Sequence, residues 1–256
     1  MGGYNLAIQC WGKGSVTVIL DANLGQGIAS WQWVVPDVAA RTRVCAYNRA
    51  GVLTSDNAPT KPRTSQQMAD DLYRLLSNAK IKPPYLLVSH GASALAARLF
   101  YRDHAKDSAG LVFVEPGVPT NRQDMLPLLP PVSANDGQAV KSWRASLFNT
   151  DWSAFPENMD WDTSAAQAAK VTSLGNTPLI VLWMSQATID GYNQGLPANL
   201  ADGMKQLDGK WERDTKKLST TSEVRHGTVS GYGLPTQEAP LVVKAILDML
   251  QQVKSK

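Results

Sequence analysis

The chain reads as an α/β protein built on a mostly parallel central sheet with helices on both faces. Two observations predict this: short apolar, β-branched runs alternate with longer stretches of helical spacing, and a single long segment breaks that rhythm. Its 256 residues suit one such unit carrying an insertion.

Strands are expected over residues 4–10, 16–20, 43–47, 85–88, 111–114, 179–184 and 222–229, each a compact run rich in Val, Ile, Leu or aromatic residues. Residues 65–79 show helical spacing through Met68, Leu72, Leu75 and Leu76. Residues 92–104 place Leu95, Leu99 and Phe100 on one face, and residues 238–253 close the chain with Leu241, Ala245 and Leu250. From 117 to 176 there are Pro-rich turns (Pro127, Pro130, Pro131, Pro156), three tryptophans (Trp143, Trp152, Trp161) and no strand pattern. The expected division is therefore a core of 1–116 and 177–256 with a helical lid at 117–176, because long insertions in compact domains are usually functional. Sheets of this kind bind ligands at the carboxyl ends of their strands.

A formal charge of +3 is spread along the chain without a basic block, so no nucleic-acid partner is expected. Lys216-Lys217 reads as a solvated helix face. Cys10 and Cys45 both fall in strand-like runs and read as buried free thiols, with no Cys or His spacing for a metal. No apolar stretch reaches the ~18 residues of a membrane span. The polar Met1-Gly2-Gly3 start, which resembles an expression scar, leads directly into a strand. A soluble protein without a signal peptide is expected, cytoplasmic if expressed as written, with its native compartment left open.

Four segments together resemble the α/β-hydrolase family, in particular its small bacterial esterases and lactonases. Val18-Ile19-Leu20-Asp21-Ala22-Asn23-Leu24-Gly25 followed by Ser30-Trp31-Gln32-Trp33 is similar to the strand and oxyanion loop. Arg43 to Gly51, with Tyr47-Asn48-Arg49-Ala50-Gly51, is similar to a Tyr-Asp-Arg-Ala-Gly turn. Leu86 to Leu99 resembles the nucleophile elbow and its helix, and Val229-Ser230-Gly231-Tyr232-Gly233-Leu234 resembles the histidine loop.

The resemblance implies a Gly-x-Ser-x-Gly elbow, whose serine sits on a sharp strand-to-helix turn beside backbone N–H donors. Aligning His90 with the residue before the nucleophile puts Gly91 at the serine position and Tyr232 at the base position. Glycine offers no nucleophile, and tyrosine is a poor proton acceptor at neutral pH. Glu115 and Asp190 follow the two strands that supply the acid in different branches of the family. Asn23, Leu24 and Ala92 fall near the oxyanion hole, and Leu53 and Trp143 complete the expected ligand-binding set. Asn23, Leu53 and Ala94 stand where glycines are expected, and such departures, gathered around one pocket, suggest deliberate redesign or selection for a new ligand.

Three readings follow. The leading one is an ester- or lactone-hydrolase scaffold engineered at its Ser-His pair, with a small apolar ligand pocket. The second is an engineered non-hydrolytic catalyst using Glu115 or His90 as base with Tyr232 as hydrogen-bond donor. The third is a natural pseudoenzyme that binds a small molecule. A small-molecule partner is expected, with no membrane partner and no nucleotide or metal cofactor. Ser93 is a weaker nucleophile candidate, two residues past the elbow position. His104 and His226 read as structural or surface residues.

Overall fold

The computed structural model describes residues 3–148, 150–228 and 233–254. Seven strands form one sheet: β1 Ile8–Trp11, β2 Thr17–Asp21, β3 Arg43–Tyr47, β4 Tyr85–His90, β5 Ser108–Val114, β6 Leu179–Trp183 and β7 Ser222–His226. They run in the order β1-β3-β2-β4-β5-β6-β7, with β1 antiparallel to β3 and every other pairing parallel. The central strands β2, β4 and β6 are buried along their whole length, as expected for parallel strands covered on both faces. Tyr4 to Leu6, placed in the first strand by sequence, lie before β1, and residue 229 of the last expected strand lies outside the described residues.

Ten helices accompany the sheet among the described residues. On one face α1 (Val35–Ala39) and α10 (Ala239–Lys254) bury Val38, Ile246 and Met249 against Val18, Val88 and Val112. On the other, α2 (Ser65–Asn78) and α3 (Ser93–Asp103) bury Leu72, Leu76, Leu95 and Leu99 against Leu87, Leu111 and Phe113. α2 begins with a capping box, in which the Thr64 hydroxyl accepts from the Gln67 N–H and the Gln67 side chain accepts from the Thr64 N–H.

The inserted segment carries α4 (Asn121–Met125), α5 (Gln138–Phe148) and α6 (Trp161–Ala169), and none of the sheet's strands. Its parts differ in burial. α6 belongs to the core, with Ala168 fully buried and the Ser164 hydroxyl accepting from the Ser65 N–H at 2.8 Å. α4 and α5 instead cover the strand ends together with α7 (Gln186–Tyr192) and α8 (Ala198–Lys216), which follow β6. The remaining helix, α9 (Leu234–Gln237), precedes α10.

Cys10 and Cys45 are not free thiols. They are direct cross-strand partners in the β1–β3 pair, with Cα atoms 4.1 Å apart, and form a disulfide. Their strand-like runs are legible in the sequence, whereas the pairing of β1 with β3 that brings them together is a tertiary contact.

Candidate active site

β4 ends at His90, and the chain turns through Gly91 at φ 61° before α3 begins. That left-handed backbone is where glycine carries no Cβ penalty. The Gly91 N–H donates to Val114 O at 2.9 Å and its carbonyl accepts from the Gly117 N–H at 2.8 Å, tying the turn to the end of β5. No side-chain cap closes the N-terminus of α3. Instead the Ala92 N–H donates to Asn23 Oδ1 at 3.1 Å, and the Leu24 N–H donates to the same oxygen at 2.9 Å. A Cβ added at Gly91 would overlap the Asn23 carboxamide, standing 2.7 Å from Nδ2 and closer still to Oδ1 and Cγ. Asn23, Leu24, Gly91 and Ala92 thus form one unit at the carboxyl edge of the sheet.

Arg49 fixes the loop that carries Asn23. Its guanidinium is buried and donates to Ala22 O and Asn23 O, each at 2.6 Å, while pairing with Asp21 and with Glu157 at 2.7 Å. Burial alone would lower its pKa, but Asp21 and Glu157 outweigh burial and raise it. Glu157, from the inserted segment, also accepts from the Gly25 N–H at 3.1 Å with both oxygens. Sequence reasoning missed Glu157 because it lies 108 residues from Arg49 in a stretch without a motif.

His90 and Glu115 meet behind the elbow, His90 Nε2 lying 3.0 Å from Glu115 Oε2. Glu115 is buried and also accepts from the Gly233 N–H at 3.3 Å and the Leu234 N–H at 3.2 Å. Both of its oxygens therefore have partners, and neither it nor His90 lines the cavities described below. Asp190 lies elsewhere, half-exposed on α7, where Gln186 and then Lys205 hold its carboxyl below the usual range. Tyr232 lies outside the described residues. Ser93 points its hydroxyl at the carbonyls of His90 and Asp21, a packing arrangement. His104 stacks on Tyr73 at 3.7 Å, and His226 Nε2 lies 2.9 Å from Glu212 Oε2.

Two adjoining cavities open over the strand ends. The first, of about 290 Å³, has Asn23, Gly91 and Ala92 at its floor and Trp152, Phe155, Trp161 and Trp183 around it. The second, of about 570 Å³, lies under α5, α7 and α8 and shares Met184 and Trp211 with the first. Trp143 lines the second cavity, not the first. Leu53 lines neither: it is 71% exposed in an outer groove with Trp11 and Ile28. Its φ of 48° shows that the turn keeps the left-handed backbone of the glycine expected there. Asp208, which sequence reasoning also missed, is a buried carboxylate on the wall of the second cavity.

No protein-family model matches the chain. Over 107 residues it is 32% identical to the uncharacterized protein YqjL of Bacillus subtilis, covering 42% of this chain and 42% of that protein. The match thus spans less than half the length of that relative. Among solved structures, an esterase from Thermogutta terrifontis aligns with 98% of this chain and 94% of its own, at TM-score 0.63 and 17% identity. A probable hydrolytic enzyme from Pseudomonas aeruginosa aligns over 96% and 89%, at TM-score 0.66 and 15% identity. With the strand order and the elbow, these likenesses establish the architecture: the chain is an α/β-hydrolase-fold protein.

Proposed function

We propose that this chain is an ester- or lactone-hydrolase scaffold with a redesigned reaction centre. It binds a small, largely apolar ligand and does not carry out acyl-enzyme hydrolysis. One observation carries this reading: Asn23 Oδ1 accepts from the Ala92 and Leu24 N–H groups. On this fold, the N–H after the nucleophile and one from the preceding loop stabilise the oxyanion of the tetrahedral intermediate. Here a neutral amide oxygen of the protein takes both donors, and residue 91 has no hydroxyl beside them. Loss of nucleophile and base alone leaves about 10³–10⁴ of rate enhancement from binding and the oxyanion hole. Filling the hole removes much of that remainder too.

The apolar ring of Trp152, Phe155, Trp161 and Trp183 suits an acyl or aromatic group, and Asn23 supplies a polar group at the cavity floor. The departures at Asn23 and Gly91 meet in this one cavity, which supports deliberate alteration over drift. Leu53, in its outer groove, and Ala94, buried within α3 and lining neither cavity, are the exceptions.

The test compares the unaltered chain with a triple variant, Asn23→Gly, Gly91→Ser and Tyr232→His, on p-nitrophenyl butyrate. The unaltered chain is expected to show no acyl burst and no labelling by a fluorophosphonate, and the triple variant to gain both. Fluorophosphonate-sensitive turnover by the unaltered chain would overturn the proposal, as would a folded triple variant without a burst.

A further inference from the structure

We propose that the larger cavity is a binding site for an organic ammonium cation, held by the Asp208 carboxylate and by the rings of Trp143, Tyr192 and Trp211. All four residues line the cavity, together with Met184 and Met204. Asp208 is buried, and both its oxygens accept from Trp183 Nε1 at 3.2 Å. Among the described residues no cationic side chain forms an ion pair with it. Two lysines of the same helix are engaged elsewhere, Lys205 with Asp190 and Lys210 with Asp124 and Asp214. The nearby His226 is paired with Glu212.

One indole N–H is a modest partner for a carboxylate taken out of water, because a buried charge without a counter-charge is costly. The rest of the wall combines aromatic rings, thioethers and aliphatic groups with the uncharged polar side chains of Ser142, Ser146, Asn193 and Gln194, and offers no second charge. Ring faces attract cations through their quadrupole, most strongly for Trp. A ligand carboxylate would be repelled by Asp208, and an uncharged ligand would leave its charge uncompensated. A primary, tertiary or quaternary ammonium bearing an apolar body satisfies both the carboxylate and the rings. At about 570 Å³ the space is within the range of small-ligand sites.

The test is titration calorimetry on the full chain with benzyltrimethylammonium and, as an uncharged analogue, benzyl alcohol. The cation is expected to bind about ten-fold or more tightly than the alcohol. Asp208→Asn, which keeps an oxygen for the Trp183 N–H, is expected to abolish that preference while retaining the native near-ultraviolet circular dichroism. Asp208→Glu, which keeps the charge, is expected to retain the preference and serves should the Asn variant not fold. Equal binding of the two ligands, binding of neither, or a preference that survives in folded Asp208→Asn would each overturn the proposal.

Discussion

The carboxamide of Asn23 occupies the position that a side chain on Gly91 would need, and it is held there by the N–H groups of Leu24 and Ala92. Two residues 68 positions apart in sequence are thereby made interdependent. Any residue at 91 must evict the carboxamide, and eviction strands two N–H donors.

The two substitutions are therefore expected to be strongly non-additive. Gly91→Ser alone should destabilise the fold by about 1–3 kcal/mol, from overpacking added to a left-handed backbone. In an Asn23→Gly background the same change should cost visibly less, because only the backbone penalty remains. Urea denaturation of the four proteins of the cycle measures this coupling, and an additive cycle would contradict the overlap.

Leu53 offers a simpler case. It holds φ at 48° while its side chain is largely exposed, so little packing offsets the backbone cost. Leu53→Gly is expected to stabilise the protein by about 1 kcal/mol, read as a rise of about 2–4 °C in Tm for a chain of this size. A fall in Tm would show that its contact with the outer groove matters more than its backbone.

Glu157 should be among the least tolerant positions of the inserted segment. Glu157→Leu removes one of the two carboxylates facing buried Arg49 and the acceptor of the Gly25 N–H. The expected cost is about 3 kcal/mol, at the lower end for a broken buried pair because Asp21 still faces the guanidinium. Equilibrium unfolding checks this, and a loss below about 1 kcal/mol, the scale of an exposed pair, would contradict it.

Asp208 sets a pH dependence of definite sign. Burial raises its pKa above the ordinary carboxylate value and Glu212 adds to this, against the Trp183 hydrogen bond and His226. A folded-state pKa above the unfolded one favours the fold below the unfolded value of ~3.9, and that contribution is lost as pH rises through the folded value. Asp208→Asn is therefore expected to raise Tm at pH 7 relative to the native chain, with the difference shrinking towards pH 4. A difference that grows on acidification would reverse the assignment.

The centre of the sheet was largely legible in the sequence because its inner strands are buried on both faces and stand out as apolar runs, as in Leu86-Leu87-Val88 and Leu179 to Trp183. Gly91 could be placed at the elbow for the same reason, since a strong strand runs directly into a strong helix. α8 was not legible: it is long but buries only Leu200, Asp208, Trp211 and Thr215, so its apolar stripe is thin and interrupted by glycines. Asp208 went unseen with it. The Cys10–Cys45 bond and the Arg49–Glu157 pair depend on tertiary contacts that leave no local pattern. For Asn23 the sequence marked the position but not the act, since nothing local says that an amide will take one donor of its own loop and another from the turn before α3.

The attachments of Arg49 join two layers of the molecule at a single point. One guanidinium holds the strand-end carboxylate at 21, the two carbonyls after it and a carboxylate from the overhead segment. Lifting the roof at residue 157 would cut several bonds together and slacken the floor with it. That corner is a rivet: one buried side chain fastens the overhead segment to the strand ends.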